Sequence, residues 1–390
     1  MVRYTTMNPK PLNILIVNTD WRNIFENGFD ELYKKLERDQ LRPDLNNFFF
    51  FSWGTVSYVK KRDERFSSVH MKTIWRSFKP CIDFLSIVMV PYTVKKSGFK
   101  PDVIFIYDLG FVVPARILKW MYGSTVVFCM TNMPEVYSRT RRFGKIKAFY
   151  SSILEHLFVR MVDIGYTINE TMKKYIMNIG IDEQKVVVFA SDTINRDMVH
   201  LKASKKGIVR RKYAIKDNSK IILSIGRLEA EKGFPRLLNI FAQLDPSFTF
   251  IILGQGSLKK ELQEQVKHLG LTERVFFTGF VDRTEIWDYY HDADLFMLLS
   301  NAEALGLVFW EAMYMGVPAI GSTAEGIVES LGQHGERGLI VEPNESIDSI
   351  KEKIKFMLTE SDKRNIMLAQ AKHYVEKEIA NTVTINDLHQ

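Results

Sequence analysis

Two stretches of the chain carry residue types that together suit an anion joined to a sugar. The first is Ser224-Ile-Gly-Arg-Leu-Glu-Ala-Glu-Lys-Gly-Phe. Arg227 offers a bidentate fork and Lys232 a mobile point charge, both suited to phosphate. Gly233 permits a tight turn into a helix whose first amides favour an anion. The second is Glu303-Ala-Leu-Gly-Leu-Val-Phe-Trp-Glu, ending at Glu311. Gly306 allows a bend, and a helix starting near Leu307 would aim the amides of Leu307 and Val308 at the same anion. Glu311, one turn further among Phe309, Trp310, Ala312 and Met313, is placed to accept hydrogen bonds from sugar hydroxyls. Glu303 would lie beyond the phosphates, beside a transferred group. Taken singly, each residue has a plainer account. Arg227 and Lys232 would be two cations of a surface loop, Glu303 an acid favoured by a helix dipole, and Glu311 a solvated helix residue. Ile252-Leu-Gly-Gln-Gly-Ser adds Gly254 and Gly256, where backbone can approach a ligand closely. The third glycine of a dinucleotide fingerprint is missing there.

These residues need a scaffold of strand ends, and the sequence supplies one. Short apolar runs alternate with helical stretches along the whole chain. In the first half they are 12–17, 48–52, 103–107, 125–130, 164–168 and 186–189. In the second they are 221–226, 248–254, 275–280, 294–300, 317–321 and 338–341. The runs are near-continuous Val, Ile, Leu and Phe, so both faces of each strand must be covered, as in parallel sheets between helices. This alternation predicts an α/β fold of two doubly wound, Rossmann-like domains, with ligands at the carboxyl ends of the strands. A polar, basic stretch near 195–218 marks the boundary. The domains are then 1–200, an N-terminal unit, and 201–365, a C-terminal one.

Composition narrows the class. The chain has 390 residues, of which 46% are hydrophobic and 25% charged, the mix of an ordinary globular protein. The longest apolar run, Phe84 to Val94, is too short to span a bilayer, which needs about 20 residues. No signal-peptide pattern stands at the start. Cys81 and Cys129 make neither a disulfide framework nor a zinc pattern, which fits a reducing cytoplasm. The net charge of +7 is uneven, with 17 basic against 6 acidic residues over 60–147. Such a face is either a solvated surface or attracted to something anionic: a membrane, a pyrophosphate-bearing lipid or a nucleic acid. No helix-turn-helix, zinc finger or Arg-rich arm supports nucleic acid, and no Walker A sequence is present.

In combination, these motifs resemble the retaining GT-B glycosyltransferases with the Glu-x7-Glu signature, the glycosyltransferase family 4 or group 1 family. Gly226 to Gly233 looks like its phosphate loop, and Glu303 and Glu311 match its two glutamates. Gly316-Val-Pro-Ala-Ile-Gly, Gly326-Ile-Val-Glu and Gly338-Leu-Ile-Val-Glu-Pro are similar to its closing strands and loops. The resemblance is dense over about 220–345. It implies two Rossmann-like domains facing a cleft, with a helix around 366–390 crossing back to the N-terminal domain. It implies a UDP- or GDP-sugar whose diphosphate meets Arg227 and Lys232, whose ribose meets Glu311, and whose sugar meets Glu303. Backbone around Gly254, Gly256 and Phe280 would frame the base. It further implies retention of configuration, no metal or other cofactor, and a hexose-type sugar passed to a glycan or polyprenyl-diphosphate-linked acceptor of a cell-surface polysaccharide.

The N-terminal half departs from the family. The loop after the first run, Asn18-Thr-Asp-Trp-Arg-Asn, lacks the usual glycines, and Tyr107 and Thr131-Asn-Met-Pro stand where histidines are common. Asp20, Asp108 and Asn132 are the acceptor-side candidates by their place at strand ends, with Asp108 a candidate catalytic helper. These departures leave a second reading open, a non-catalytic nucleotide-sugar-binding partner subunit. The basic stretch 60–147, interleaved with aromatics after Ser138 and containing an apolar helix-like segment from Trp75 to Val94, predicts peripheral binding to an anionic membrane such as the inner face of the plasma membrane.

Overall fold

The computed structural model describes residues 11–18, 46–54, 58–61, 66–72, 79–130, 153, 157–188, 205–332, 335–359 and 361–380. The chain divides into two compact units, Met1–Ser191 with Thr382–Gln390, and Asp192–Asn381.

The first unit holds strands β1 (Asn13–Asn18), β2 (Asn47–Gly54), β3 (Tyr58–Lys61), β4 (Phe66–Lys72), β5 (Val103–Ile106), β6 (Thr125–Met130), β7 (Ile164–Thr167) and β8 (Val186–Val188). They form one sheet in the order β3-β4-β2-β1-β5-β6-β7-β8. All neighbours are parallel except β3 against β4. Ile14, Ile16, Phe48, Phe50, Phe105, Val127 and Tyr166 make one buried cluster on this sheet. Helices α1 (Lys79–Ser97), α2 (Val112–Tyr122) and α3 (Glu170–Ile179) belong to the same unit. Strands β3 and β4 went unread in the sequence. Tyr-Val-Lys-Lys and Phe-Ser-Ser-Val-His-Met-Lys have no continuous apolar run; β3 is the edge strand of the sheet and β4 lies between it and β2.

The second unit is wound on β9 (Lys220–Ile225), β10 (Phe248–Leu253), β11 (Val275–Gly279), β12 (Leu295–Leu298), β13 (Ala319–Ser322) and β14 (Leu339–Val341). Their order is β11-β10-β9-β12-β13-β14, and every pair is parallel. This is the 3-2-1-4-5-6 order of a dinucleotide-binding sheet, with its switch point between β9 and β12. Around it lie α4 (Ile208–Lys212), α5 (Phe234–Phe241), α6 (Lys259–His268), α7 (Ile286–Asp292), α8 (Leu307–Tyr314), α9 (Glu325–Leu331), α10 (Ile347–Leu358) and α11 (Asp362–Ala380).

Acidic side chains fix register in both sheets. Asp102, Asp163 and Asp294 each stand just before a strand and accept the amide of a residue on the neighbouring strand. Asp102 takes Asn13 at 2.8 Å, Asp163 takes Val126 at 2.8 Å and Asp294 takes Ile221 at 2.9 Å. A side chain thereby serves a strand-end amide that the ladder does not reach.

Of the C-terminal segment from about 366, expected as a crossover to the first unit, Thr382–Gln390 group with that unit, while helix α11 packs on α8 of the second. Met367, Ala371 and Val375 of α11 are buried. Tyr374 meets Trp310 edge-to-face with ring centroids 5.8 Å apart, and the Arg337 guanidinium covers Tyr374 at 4.1 Å. The i, i+4, i+8 spacing gives α11 one apolar stripe, and α8, apolar nearly all round, offers the matching surface.

Candidate functional site

The loops that follow β9 and β12 meet at the switch point of the second sheet. Three links bind them. The Asn301 amide donates to the Glu231 carbonyl at 2.7 Å. A Cβ on Gly233 would lie 2.0 Å from the Leu299 carbonyl oxygen, so only a residue without a side chain allows the two backbones this close. Gly233 also has φ +70°, the left-handed region that glycine adopts without strain. The third link is chemical: the Lys232 ammonium donates to Glu303 Oε2 at 2.5 Å, with both side chains largely buried. Such a charge-assisted pair is stronger than a neutral hydrogen bond.

Helix α8 opens directly beyond Glu303. Its N-cap is Gly306, at φ +68°, which gives no side-chain cap to the first turn. The amides of Leu307 and Val308 head that turn, where a helix carries partial positive charge. Lys232, Glu303 and the start of α8 therefore belong to one locus. Arg227 lies in the same β9 loop but is 70% exposed and pairs with Glu231 at 2.8 Å.

Glu311 sits one turn into α8 with a side chain only 2% exposed. Both oxygens are engaged. The Arg283 guanidinium donates to Oε1 at 2.6 Å and the Tyr290 hydroxyl to Oε2 at 2.8 Å. Tyr290 is fully buried, and burial, with the Glu311 charge beside it, pushes its hydroxyl well above the ordinary tyrosine range. The protonated hydroxyl is a hydrogen-bond donor to the carboxylate. Arg283 lies over the Trp287 ring at 5.5 Å, so a plane of indole and an ion pair hold its guanidinium. Sequence reading missed Arg283, Trp287 and Tyr290. They precede Glu311 by up to 28 positions and share no motif with it.

Gly254 and Gly256 lie tightly against the neighbouring β9 loop. A Cβ on Gly254 would lie 1.9 Å from the Gly226 carbonyl oxygen, and one on Gly256 2.3 Å from that of Leu228. The close approach they permit is to the neighbouring β9 loop, which they hold in place. The Glu229 carboxylate reinforces this contact by accepting from the Ser257 amide at 3.0 Å and its hydroxyl at 2.7 Å. These hydrogen bonds hold Glu229 below the usual carboxylate range. Phe280 follows Gly279 at the end of β11 with its ring exposed. In the first unit, Asp108 stands at the carboxyl end of β5 and caps the turn Leu109–Phe111 by accepting the Gly110 amide at 3.0 Å. Asp20 and Asn132 lie outside the described residues, as does most of the basic stretch after residue 130.

Residues 205–374 match the family model of glycosyl transferases group 1. An uncharacterized glycosyltransferase of Methanocaldococcus jannaschii is 28% identical over 82% of this chain and 83% of its own length. The N-acetyl-alpha-D-glucosaminyl L-malate synthase of Bacillus anthracis is 30% identical over 51% of this chain and 50% of its own. Among solved structures, Anabaena HepE in complex with UDP and glucose superposes with a TM-score of 0.67 at 18% identity, covering 97% of this chain and 98% of that one. The fold is thus GT-B, of the α/β class. The match to the group 1 glycosyltransferases falls within the second unit.

Proposed function

We propose that the chain is a retaining glycosyltransferase that takes a hexose-type sugar from a UDP- or GDP-sugar. The observation that carries this reading is the locus at the β9–β12 switch point, where Lys232 meets Glu303 at the mouth of α8. A diphosphate seated there gains the Lys232 charge, the Leu307 and Val308 amides, and Arg227 once it turns from Glu231. Glu303 then faces the hydroxyls of the sugar, and Glu311 marks the ribose end. These cations and amides neutralise the leaving diphosphate, so the reading uses no metal and no cofactor. The acceptor hydroxyl oxygen bonds to the anomeric carbon as the bond to the diphosphate oxygen breaks, and the hydroxyl proton passes to that phosphate oxygen. HepE, solved with UDP and glucose, supports a nucleotide-sugar of this kind.

The acceptor in this reading is a glycan or a polyprenyl-diphosphate-linked sugar of a cell-surface polysaccharide, met on the side of Asp20, Asp108 and Asn132 at the inner face of the plasma membrane. Helix α1 supports a membrane contact. Phe84, Val88 and Tyr92 recur every four residues and are exposed, Leu85 beside them is partly so, and Lys95 and Lys96 close the helix. The one acid on this helix, Asp83, is buried. An apolar stripe ending in lysines fits an anionic bilayer surface. No helix of the described residues is long and apolar enough to cross a membrane.

The test is a thermal-shift panel with UDP, GDP, ADP and CMP and their sugar conjugates. A ligand at 100 times its dissociation constant stabilises by about 2.7 kcal/mol. One base class is expected to shift the midpoint, and Lys232→Ala to abolish the shift. A panel without any shift would remove the donor reading.

A further inference from the structure

We infer that Gly326 and Ser330 of α9 are positioning residues for Glu303: they hold the backbone of the loop that carries this carboxylate and so set where it stands against the donor sugar. This rests on the donor reading above and extends it to residues that touch no ligand. Three observations carry the argument. First, the Gly326 amide donates to the Glu303 carbonyl at 3.1 Å, and the Ser330 hydroxyl lies 2.8 Å from the Leu305 carbonyl. Gly326 and Ser330 are four apart, on one face of α9, and grip the loop on both sides of Ala304. Second, a Cβ on Gly326 would lie 2.5 Å from the Ala304 carbonyl oxygen and 2.7 Å from that of Glu303. Gly326 stands in the first turn of α9 and is not among the glycines of positive φ. Alanine would ordinarily be the better residue there, so it is the approach of the loop that calls for glycine. Third, Ser330 is 1% exposed, and the Trp310 indole donates to its oxygen at 2.9 Å. Trp310 belongs to α8, so one buried oxygen ties together α8, α9 and the Glu303 loop.

A serine suits this junction. Its hydroxyl carries one proton and two lone pairs, whereas an indole N–H only donates. The indole takes a lone pair, and the proton is left for the Leu305 and Gly326 carbonyls, each 2.8 Å away. Lys232 then holds the Glu303 side chain at its tip, at 2.5 Å, while α9 holds it at its root. Gly306, at φ +68°, stands between this loop and α8. A shift of residues 303–305 therefore moves the carboxylate while the Leu307 and Val308 amides keep their place at the diphosphate. A misplacement of about 1 Å at a reacting centre can cost on the order of 100-fold in rate. The sugar end of the donor site is thus the end that α9 controls.

Isothermal titration of the full chain tests this, with UDP and GDP set against UDP-glucose, UDP-galactose, UDP-N-acetylglucosamine and GDP-mannose. The quantity read is the affinity for the best-bound conjugate divided by that for its free nucleotide. Glu303→Gln should lower this ratio by about tenfold, since it weakens bonds from sugar hydroxyls to a charged group. Ser330→Ala and Gly326→Ala should each lower it by about three- to tenfold, while affinity for the free nucleotide changes by less than about twofold. Combined with Glu303→Gln, neither should lower the ratio further. Ser330→Thr keeps the hydroxyl and should restore the wild-type ratio. Ser330→Cys keeps the size with a much weaker donor and stands in where Ser330→Ala does not fold. Folded Ser330 and Gly326 variants that keep the full ratio would overturn the inference while sparing the donor reading. So would variants that weaken nucleotide and conjugate alike, because the α9 contacts would then serve stability alone. If Glu303→Gln leaves the ratio unchanged, Glu303 does not meet the sugar, and the inference fails with the nucleotide site intact. If no nucleotide binds wild type at all, the donor reading fails and this inference with it.

Discussion

The Lys232 ammonium lies 2.5 Å from the Glu303 carboxylate although 71 positions separate them in the chain. The pairing follows from strand order. β9 and β12 are neighbours in the sheet while β10 and β11 lie to one side, so the loops after β9 and β12 open together. Each partner offsets the other's desolvation, and a diphosphate arriving at α8 replaces one charge-assisted bond of Lys232 by others.

Removing Lys232 therefore has two separable effects. Lys232→Met should weaken nucleotide-sugar binding by about 10- to 100-fold, the range for a hydrogen bond to a charged group. It should also lower stability without ligand, since Glu303 is left partly buried and alone. Glu303→Gln in the same background should recover part of the stability but none of the affinity. A double-mutant cycle by calorimetry and thermal unfolding checks both, and additive stability changes would deny the coupling.

Gly233 and Gly270 make a matched pair for testing backbone approach. Both have positive φ, but a Cβ on Gly233 would strike the Leu299 carbonyl oxygen at 2.0 Å, while one on Gly270 meets nothing within 4 Å. Gly270→Ala should cost about 1 kcal/mol for the left-handed backbone alone. Gly233→Ala should cost at least about 2 kcal/mol more, because two loops must separate. Chemical denaturation measures the difference. Equal losses would mean that the β9 and β12 loops part easily.

The docking of α11 on α8 predicts that its C-terminal half stabilises the second unit. Tyr374→Ala removes an edge-to-face partner of Trp310 and the ring beneath Arg337. A loss of about 1–3 kcal/mol is expected. Thermal unfolding followed by circular dichroism reads it, and an unchanged midpoint would show that α11 contributes little there.

The Glu229–Ser257 contact should be visible as a function of pH. Two hydrogen bonds from Ser257 hold the Glu229 carboxyl below the usual carboxylate range. The group's stabilising effect is thus complete above the unfolded glutamate value of about 4.3 and is lost as pH falls through the lower folded value. Ser257→Ala should raise the Glu229 midpoint toward the ordinary value, as followed by carbon-detected NMR of the side-chain carboxyl. A midpoint that does not move would assign the shift to another cause.

Helix α1 predicts salt-sensitive membrane binding. The chain should co-sediment with vesicles containing anionic lipid at low salt and less so at high salt, each cation near the surface contributing about 1 kcal/mol. Phe84→Ser with Val88→Ser and Tyr92→Ser should abolish the residual binding at high salt. Equal binding to neutral vesicles, or none to anionic ones, would exclude this surface.

Much of the architecture is written locally. A strand buried on both faces must be apolar without alternation, so the runs from Leu12 to Val341 announced parallel strands between helices one by one. The glycines at 233 and 306 announced turns, because few other residues accept their backbone. The spacing of Glu303 and Glu311 placed two carboxylates at the start and one turn inside a helix. The strands β3 and β4 escaped notice, since neither carries a continuous apolar run. What no local pattern carried were the partners across space. Lys232 finds Glu303 only because β9 and β12 are adjacent. Glu311 finds Arg283 and Tyr290 only because the β11–α7 segment folds against α8. Gly254 meets the Gly226 carbonyl, and α11 lies on α8. Periodicity along a chain reports which face of an element is covered, whereas the identity of the covering group depends on the order in which strands enter the sheet, and that order is settled only by the packed whole.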